Sequence, residues 1–323
     1  MDRLHISLAI VFCGFIVKHT LFELNPYAEL IARADLRMIF DLHTHSTASD
    51  GALSPEALLA RANANGVSRL ALTDHDTVAG VKVLQAALAD PLFVDELSSP
   101  IELVPGVEIS AEIDGRSYHI LGLWLDTDNE TLNTFLDGQR LAREDRAEAI
   151  GKKLAKQGIT GAFEGAKALA GDAVLSRPHF ARYLLEQGHC TKEQQAYKRW
   201  LGAGKSCDVP SKWPSGEEAI ATIHAAGGLA VLAHPDKYGL TRTRMRTLLE
   251  AFKAAGGDGL ELISGRQDDA ITDYLLRLSH KYDLACSTGS DFHNPEQVWA
   301  DVGCNSALPS TAVPIWSLAA SAS

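Results

Sequence analysis

The chain has 323 residues, of which 46% are hydrophobic and 22% charged; these are ordinary values for globular proteins and exclude wholesale disorder. This length provides for one large domain of roughly 250 residues with an insertion, or for two ordinary domains. The formal net charge of -11 argues against a long basic surface that follows DNA or RNA, and it leaves open a small anionic substrate in a locally positive pocket.

The cysteines and the first 37 residues bear on cellular location. The five cysteines are odd in number and form no CxxC pair, which fits a reducing cytoplasm better than a disulfide framework. Leu4 to Val17 is an apolar run of 14 residues, shorter than the roughly 20 that span a bilayer. A signal peptide is the alternative, since Arg3 gives it a positive start, but no small-residue cleavage site follows promptly. We therefore interpret residues 1–37 as an atypical leader, extended or misassigned, and expect a cytoplasmic protein without membrane contact.

From Met38 onward, short apolar runs alternate with helix-like stretches, a pattern typical of βα units around a parallel sheet. Seven strands are predicted, which is enough to close a barrel. They are Met38 to Leu42, Arg69 to Thr73, Ile101 to Ile109, Tyr118 to Leu125, Leu229 to Ala233, Gly259 to Ile263 and Leu284 to Ser287.

Helices are predicted between these strands. The first has Ser54 as its cap, Pro55 at its first position and Gly66 at its end. The others around the sheet are Val78 to Ala89, Gly216 to Ala226, Arg242 to Ala255 and Asp269 to Lys281. Between Asp126 and Trp213 four helices follow one another: Asn129 to Gln157, Phe163 to Ala170, Pro178 to Gln187 and Lys192 to Leu201. We predict an α/β protein in which residues 38–125 and 214–323 form the barrel and residues 126–213 form a helical insertion over its C-terminal mouth.

Six of the twelve histidines stand at or near the C-terminal end of a predicted strand, and three carboxylates share these positions. Active sites of βα barrels are built at this edge, so the nine side chains should converge on one face. They are His43, His45, Asp50, His75, Glu108, His119, His234, Asp291 and His293. One such histidine alone is more often a hydrogen-bonded structural residue than a ligand. Nine of them buried without partners would be costly, and divalent metals remove that cost.

The spacing of these residues fits coordination of metal. Residues two apart on an extended segment point the same way, so His43 and His45 can bind one ion. The carboxylate of Glu108 has two oxygens and can bridge two ions. Imidazole and carboxylate without thiolate admit Mn, Zn or Fe(II). Three divalent ions with three carboxylates leave a pocket charge of about +3. That surplus suits a phosphate ester attacked by a metal-held hydroxide, with no side chain assigned as nucleophile.

Six motifs together resemble the polymerase and histidinol phosphatase (PHP) family, and the match covers nearly everything from Met38 onward. They are DLHTHSTASDG, LTDHDT, GVEIS, YHILGL, AHPDKY and GSDFH. The resemblance implies a distorted (β/α)7 barrel with three divalent ions, most simply manganese, with zinc or iron as alternatives. It implies the following ligand sets: His43, His45, Glu108 and Asp291 for one ion; Glu108, His119 and His234 for a second; Asp50, His75 and His293 for a third.

Within the family, the insertion and its segment SRPHFARYLLEQGH resemble a branch that contains 3',5'-nucleoside bisphosphate phosphatases and 5'-to-3' exoribonucleases. Such a likeness implies hydrolysis of the bond between phosphorus and O3' in a nucleotide, or a short RNA, that carries a 5'-phosphate. No binding of long duplex DNA is expected.

Recognition of a 5'-phosphate needs a second anion site without metal. The helix opening at Ser176 to Pro178 offers free amides and a positive dipole end, with Arg177 and His179 beside them. Arg140 and Arg143 share one helix face and resemble the phosphate-binding arginines of the branch; Lys205 is a further candidate. The alternative for the two helical arginines is a solvated face neutralised by the acidic residues Glu144, Asp145 and Glu148.

Two other functions remain open. The same chemistry on another small phosphate, such as histidinol phosphate, would be favoured by an insertion with few arginines, whereas this insertion carries Arg140, Arg143 and Arg177. A non-catalytic metal-binding module that scaffolds a polymerase would show eroded ligands and a fused polymerase. All nine ligand positions are filled here, and we expect an enzyme.

Overall fold

The computed structural model describes residues 38–319 and contains one seven-stranded sheet whose neighbours follow chain order. The predicted leader, residues 1–37, lies outside the described residues, as do residues 320–323. The strands are β1 Ile39–Asp41, β2 Val67–Leu72, β3 Glu102–Ile113, β4 Arg116–Leu123, β5 Leu229–Leu232, β6 Gly259–Ser264 and β7 Ala285–Gly289. The predicted α/β class is confirmed, and each of the seven predicted strands overlaps one of these.

The fourth strand runs against its neighbours. β3 and β4 form an antiparallel hairpin, and β4 also pairs antiparallel with β5, whereas the other four adjacent pairs are parallel. The turn residues Asp114 and Gly115 have φ of 49° and 69°, and such tight turns with two positive φ values join antiparallel strands. The expectation of parallel pairing therefore fails at β4.

Backbone hydrogen bonds join the segments that follow the first and last strands. Leu42 N–H donates to the Thr288 carbonyl at 3.0 Å, His45 N–H to the Phe292 carbonyl at 2.9 Å, and Asp291 N–H to the His43 carbonyl at 2.9 Å. The sheet thus curves until β1 and β7 lie side by side. The loops after these two strands consequently meet.

Eleven helices of α type occur within residues 38–319. They are α1 Pro55–Ala64, α2 Ala79–Leu88, α3 Pro91–Asp95, α4 Glu130–Lys156, α5 Ala162–Ala170, α6 Arg177–Glu186, α7 Glu193–Ala196, α8 Gly216–Ala225, α9 Arg242–Ala254, α10 Asp269–Tyr282 and α11 Trp316–Ala319. A π-helical turn, Tyr197–Leu201, follows α7, and 3-10 turns occur at Pro235–Tyr238 and Val298–Ala300. The Ser54 side chain accepts from Ala57 N–H at 3.2 Å, which confirms the predicted cap. No helix in the described part of the chain is long and apolar enough to cross a membrane.

Alternate residues of a strand pack on opposite sides of the sheet. On β4, Leu121 and Leu123 pack in one buried cluster with residues from β1, β2, β3, β5 and β7, whereas Ile120 packs in another with residues of α8, α9 and α10. This is the period of two that a strand imposes when both its faces are covered. A fully buried Ile or Leu contributes about 1.5–3 kcal/mol, so both clusters hold the strand ends in place.

Helices α4 to α7 fill the interval between β4 and β5. The start of α4 belongs to the sheet's core, because Leu132 and Leu136 pack there. The later turns of α4 carry Ile150 and Leu154 into a separate core with Phe180 and other residues of the interval. One long helix therefore connects the sheet to a helical layer that has its own apolar centre.

Candidate metal centre and anion cavity

The nine predicted metal ligands come together at one edge of the sheet, around the carboxylate of Glu108. His75 Nδ1, His119 Nδ1 and His234 Nε2 each lie 2.9 Å from a Glu108 oxygen. Two more, His43 Nε2 and His45 Nε2, lie at 3.4 and 3.3 Å. The donor atoms form four overlapping groups: His45, Asp50, His75 and His293; His43, Glu108 and His234; His43, His45 and Asp291; His75, Glu108 and His119.

His119 reaches this edge by a different route from the one predicted. It is the fourth residue of β4 and not near the C-terminal end of the strand. Because β4 is antiparallel to β3 and β5, its first half lies beside the C-terminal halves of its neighbours. The prediction of its position in the strand is wrong, although the side chain arrives where it was expected.

The donor set fits divalent cations. It consists of imidazole nitrogens and carboxylate oxygens, the ligands that suit Zn, Mn and Fe(II). The Nε2 atoms of His43 and His45 are only 3.1 Å apart, and both point toward Glu108 and Asp291. Glu108 Oε2 and His75 Nδ1 are buried and lie 2.9 Å apart, yet neither forms a hydrogen bond with the other or with any other residue of 38–319. Buried polar atoms without partners are rare in native folds, and a cation shared by these atoms would satisfy them.

Mutual attraction within the cluster shifts the pKa values of its members. Burial would raise the pKa of Glu108, but His119, His75 and His43 hold it well below its usual range. Burial would lower the pKa of His43, but Glu261, Glu108 and Asp291 raise it well above the ordinary value. In the same way, Asp50 raises the pKa of His293 to about 9 against the effect of burial. The site therefore holds negative carboxylates that attract cations, either protons or metal.

Glu261 on β6 orients two of the histidines. Its Oε1 lies 3.1 Å from His43 Nδ1, and its Oε2 accepts from the backbone N–H of His234 at 2.6 Å. A carboxylate on the far nitrogen of a metal-binding imidazole fixes the tautomer and the ring orientation. Glu261 thus leaves His43 Nε2 free to face the centre of the cluster.

Two of the predicted ligands sit in strained backbone. His234 has φ 29° and Asp291 has φ 55°, both in the left-handed region. Such conformations cost of order 1–3 kcal/mol and occur preferentially at functional sites. The hydrogen bond from His234 N–H to Glu261, together with that from Asp291 N–H to the His43 carbonyl, holds them there.

The loop that carries Asp50 is held from inside by Asp74. The Asp74 carboxylate accepts from Ser46 N–H at 2.8 Å, and from the hydroxyls of Ser46 and Ser49 at 2.6 Å each. Gly51 closes this loop so tightly that a Cβ there would lie 2.4 Å from the His45 carbonyl oxygen. Only glycine fits such an approach, and the turn brings Asp50 Oδ1 within 3.4 Å of His293 Nε2.

A cavity of about 320 Å³ opens beside the cluster and is lined by chemically different residues. Asp50, His75 and His119 belong to the lining. The lining also contains Arg143, Arg146, Ser176 and Arg177 from the helical layer, together with Trp213 and Asp208. The same cavity is thus lined by residues of the cluster and by a group of cationic residues, and we call Arg143, Arg146, Ser176 and Arg177 the arginine wall.

The three arginines differ in how far they are neutralised. Arg143 is paired with Asp76 at 2.5 Å and is nearly buried. Neither Arg146 nor Arg177 forms an ion pair with another residue between 38 and 319. Burial, Arg177 and Arg143 together lower the pKa of Arg146 to about 10. The guanidinium groups of Arg143 and Arg146 lie 5.1 and 5.9 Å from the Trp213 ring. The positive charges repel one another, and an anion would relieve that repulsion.

Not all of the predicted substrate contacts line the cavity. Arg143 and Arg177 do. Arg140 is half exposed and faces Asp137 at 3.9 Å, and Lys205 is exposed in the loop after the π-helical turn. His179 is buried, and its Nδ1 accepts from Ser176 N–H at 3.1 Å. That contact keeps the Nδ1 of His179 unprotonated and caps α6, in keeping with a pKa lowered by burial and by Arg182.

Sequence reasoning missed Arg146 and Trp213; it predicts a supporting rather than a ligating role for Glu261, without identifying its partners. Arg146 lies three residues after Arg143 on one helix face, but Arg140 lies three residues before it, so the spacing alone does not distinguish them. Trp213 stands at the end of the predicted insertion, and no local pattern marks it. Glu261 contacts a residue 218 positions away, which no short motif can show.

The model of the PHP domain matches residues 41–206 of this chain. The chain belongs to the PHP domain family. The predicted resemblance is confirmed, and this PHP chain aligns over most of its length with named relatives. A 5'-3' exoribonuclease of Haemophilus influenzae is 46% identical over 277 residues, 86% of this chain and 97% of the relative. A 3',5'-nucleoside bisphosphate phosphatase of Chromobacterium violaceum is 38% identical over 278 residues, 85% and 94% of the two chains.

A solved structure shares the fold of this PHP protein. An amidohydrolase from Chromobacterium violaceum, with bound sulfate and no metal, superposes with a TM-score of 0.78 at 36% identity. The likeness covers 88% of this chain and 96% of that one. The PHP fold therefore extends through the helical layer as well as the sheet.

Proposed function

We propose that this protein is a metal-dependent phosphoesterase that hydrolyses the 3'-phosphate of nucleoside 3',5'-bisphosphates and releases 5'-mononucleotides from short 5'-phosphorylated RNA. One observation carries the proposal: three of the nine predicted donors, Asp50, His75 and His119, line the same cavity as Arg143, Arg146 and Arg177. A substrate with two phosphate groups suits such a cavity. The named relatives act on nucleoside bisphosphates or RNA.

The cluster is the proposed site of the scissile phosphate. We infer three divalent ions, taken here as Mn²⁺, in the three sets that the family resemblance implies. The second set is supported by a distance of 3.4 Å between His119 Nδ1 and His234 Nε2, both next to Glu108 Oε1. The third is supported by the group of His45, Asp50, His75 and His293, which contains all three of its members. Divalent ions, when bound, supply Lewis acidity that stabilises charge on the phosphoryl oxygens and activates water.

The arginine wall is the proposed site of the 5'-phosphate. Arg146 and Arg177 form no ion pair with a carboxylate of the described residues, although Asp208 lines the same cavity. Ser176 and Arg177 stand at the N-terminus of α6, where the positive end of the helix dipole favours an anion. Arg143 is held by Asp76 and stacks near Trp213, so it gives this wall a fixed shape. Binding the remote phosphate orients O3' and its phosphorus toward the cluster.

The same bond is broken in both substrates. In a bisphosphate the phosphorus bears only terminal oxygens, and in RNA it continues into the next nucleotide. The protein does not distinguish the two substrates at the P–O3' bond, because recognition depends on the 5'-phosphate that both of them carry. A cytoplasmic setting fits the four free cysteines that the structure describes, at positions 190, 207, 286 and 304.

Replacement of Arg146 with Met tests the 5'-phosphate site. Loss of a hydrogen bond to a charged group costs about 1.5–3 kcal/mol, so we expect KM for adenosine 3',5'-bisphosphate to rise about 10- to 100-fold. KM for adenosine 3'-monophosphate, which lacks the 5'-phosphate, should stay within about twofold. Steady-state kinetics on both substrates measures the difference.

Arg140→Met is the matched control, because Arg140 lies on the same helix but outside the cavity. It should leave both KM values unchanged. Equal increases of KM for the two substrates in Arg146→Met would remove the 5'-phosphate from this wall.

A further inference from the structure

Helix α6 touches both halves of the proposed site. At its beginning, Ser176 and Arg177 line the arginine wall. Five residues later, the guanidinium of Arg182 donates to the backbone carbonyl of Asp50 at 2.6 Å. The two contacts are about 7 Å apart along the helix axis. Helix α6 therefore spans the distance between the arginine wall and the loop that carries Asp50.

A second bond reinforces this connection. Val174 N–H, just before α6, donates to the Ala48 carbonyl at 3.1 Å. The loop 46–51 is thus held from two sides: Asp74 binds it from the sheet, and the segment 174–182 binds it from the helical layer. Asp74 contacts Ser46 and Ser49, whereas Arg182 contacts Asp50 itself.

One face of α6 is buried in the helical layer. Phe180, Ala181 and Leu184 of α6 are fully buried in the core of the helical layer. A shift of Arg177 at the cavity must move the buried face as a unit, because close-packed interiors do not deform locally. Arg182 moves with it, and so does its hydrogen bond to Asp50.

We propose that Arg182 is a positioning residue that couples anion binding at the arginine wall to divalent-ion affinity at Asp50, His75 and His293. The inference rests on the proposed function. An anion that fixes Arg177 also fixes α6, and the Arg182 bond then holds the Asp50 carboxylate toward His293. Linkage makes the effect reciprocal: metal at Asp50 tightens the anion by the same factor.

Mn²⁺ titration without turnover tests the coupling. Adenosine 5'-monophosphate serves as the probe, because it carries the 5'-phosphate and has no 3'-phosphate to hydrolyse. In wild-type protein we expect it to tighten the weakest Mn²⁺ step by about tenfold, as measured by titration calorimetry. Arg182→Met should abolish this tightening, and Arg182→Lys, which keeps one donor for the carbonyl, should restore part of it.

Arg199→Met is the control, since Arg199 also lies in the helical layer and donates to a backbone carbonyl, that of His189, at 3.2 Å. It should show the wild-type tightening. The proposal is overturned if Arg182→Met retains the full effect of the nucleotide, or if Arg182→Lys, folded by its circular dichroism, loses all of it. If wild-type protein does not bind adenosine 5'-monophosphate at all, both the coupling and the proposed 5'-phosphate site are refuted. Binding without any tightening in wild-type protein overturns the coupling alone.

Discussion

Glu261 contacts two histidines of the metal centre without belonging to any of its donor groups. It lies within 3.1 Å of His43 Nδ1, and it also fixes the strained backbone of His234 through a bond of 2.6 Å. The side chain is buried on β6, so water cannot substitute for it. Its contribution is the orientation of His43, whose Nε2 faces His45, Glu108 and Asp291.

Glu261→Gln should therefore weaken metal binding more than folding. The amide keeps an oxygen for His234 N–H but loses the charge that raises the pKa of His43. Partners of this kind typically contribute 10- to 100-fold in metal affinity, so we expect a loss of about that size for Mn²⁺. Competition with a chelating dye measures the affinity. Glu112→Gln, an exposed change on β3, is the control; an unchanged affinity in Glu261→Gln would refute the orienting role.

The nine predicted metal ligands come together as the sequence predicts, whereas of the arginines in α4 only Arg143 was correctly predicted to line the cavity. His43, His75 and His234 follow apolar strands that end at one edge, and a parallel arrangement brings such ends together. Arg140 and Arg146 flank Arg143 on the same helix and lie about 120° apart around it. Which of them faces the cavity depends on how α4 docks, and the sequence of α4 alone contains no signal for that.

The contact between α5 and α6 sets the position of the two arginine-wall residues at the start of α6. A Cβ built on Gly165 of α5 would lie 2.0 Å from the ring of Tyr183 on α6. The Tyr183 hydroxyl is also bonded to the Thr160 carbonyl at 3.2 Å, so the ring has little freedom to move. The glycine is required here for close approach of two helices, although a helix interior ordinarily disfavours it.

Gly165→Ala should destabilise the protein by about 1–3 kcal/mol, because the ring must be displaced. Gly138→Ala is the matched change on α4, where the added methyl meets nothing within 4 Å. It should stabilise by about 0.5–1 kcal/mol through helix propensity. Urea denaturation of both variants gives the two free energies of unfolding. If Gly165→Ala were as stable as Gly138→Ala, the close packing of α5 on α6 would be wrong.

The elements themselves were largely predictable, and the exceptions have physical causes. Ser54, Pro55 and Gly66 mark α1 by the local chemistry of its ends, and the structure places α1 between them. The direction of β4 was missed because strand patterning has the same period in parallel and antiparallel sheets. The Asp114-Gly115 pair was the available signal, since Asp-Gly favours the two positive φ values of a tight hairpin turn.

As a whole, the molecule combines a sheet that gathers the nine predicted metal ligands with a helical layer that supplies arginine side chains. The net charge of -11 does not prevent anion binding, because Arg143, Arg146 and Arg177 are concentrated at one wall of the cavity. The sheet and the helical layer also have separate hydrophobic cores, since the helical layer packs around its own apolar centre. Substrate selection and hydrolysis are thus assigned to different parts of the fold, which meet at the cavity.

The bond that is broken in adenosine 3',5'-bisphosphate shows which phosphate lies at the candidate metal centre. Mn²⁺-loaded protein is incubated with adenosine 3',5'-bisphosphate, and the nucleotide product is identified by ³¹P NMR, with histidinol phosphate as a parallel substrate. We expect adenosine 5'-monophosphate and inorganic phosphate, because in the proposed function the arginine wall holds the 5'-phosphate while the 3'-phosphate lies at the candidate metal centre. Formation of adenosine 3'-monophosphate, or turnover of histidinol phosphate alone, would contradict the proposed function.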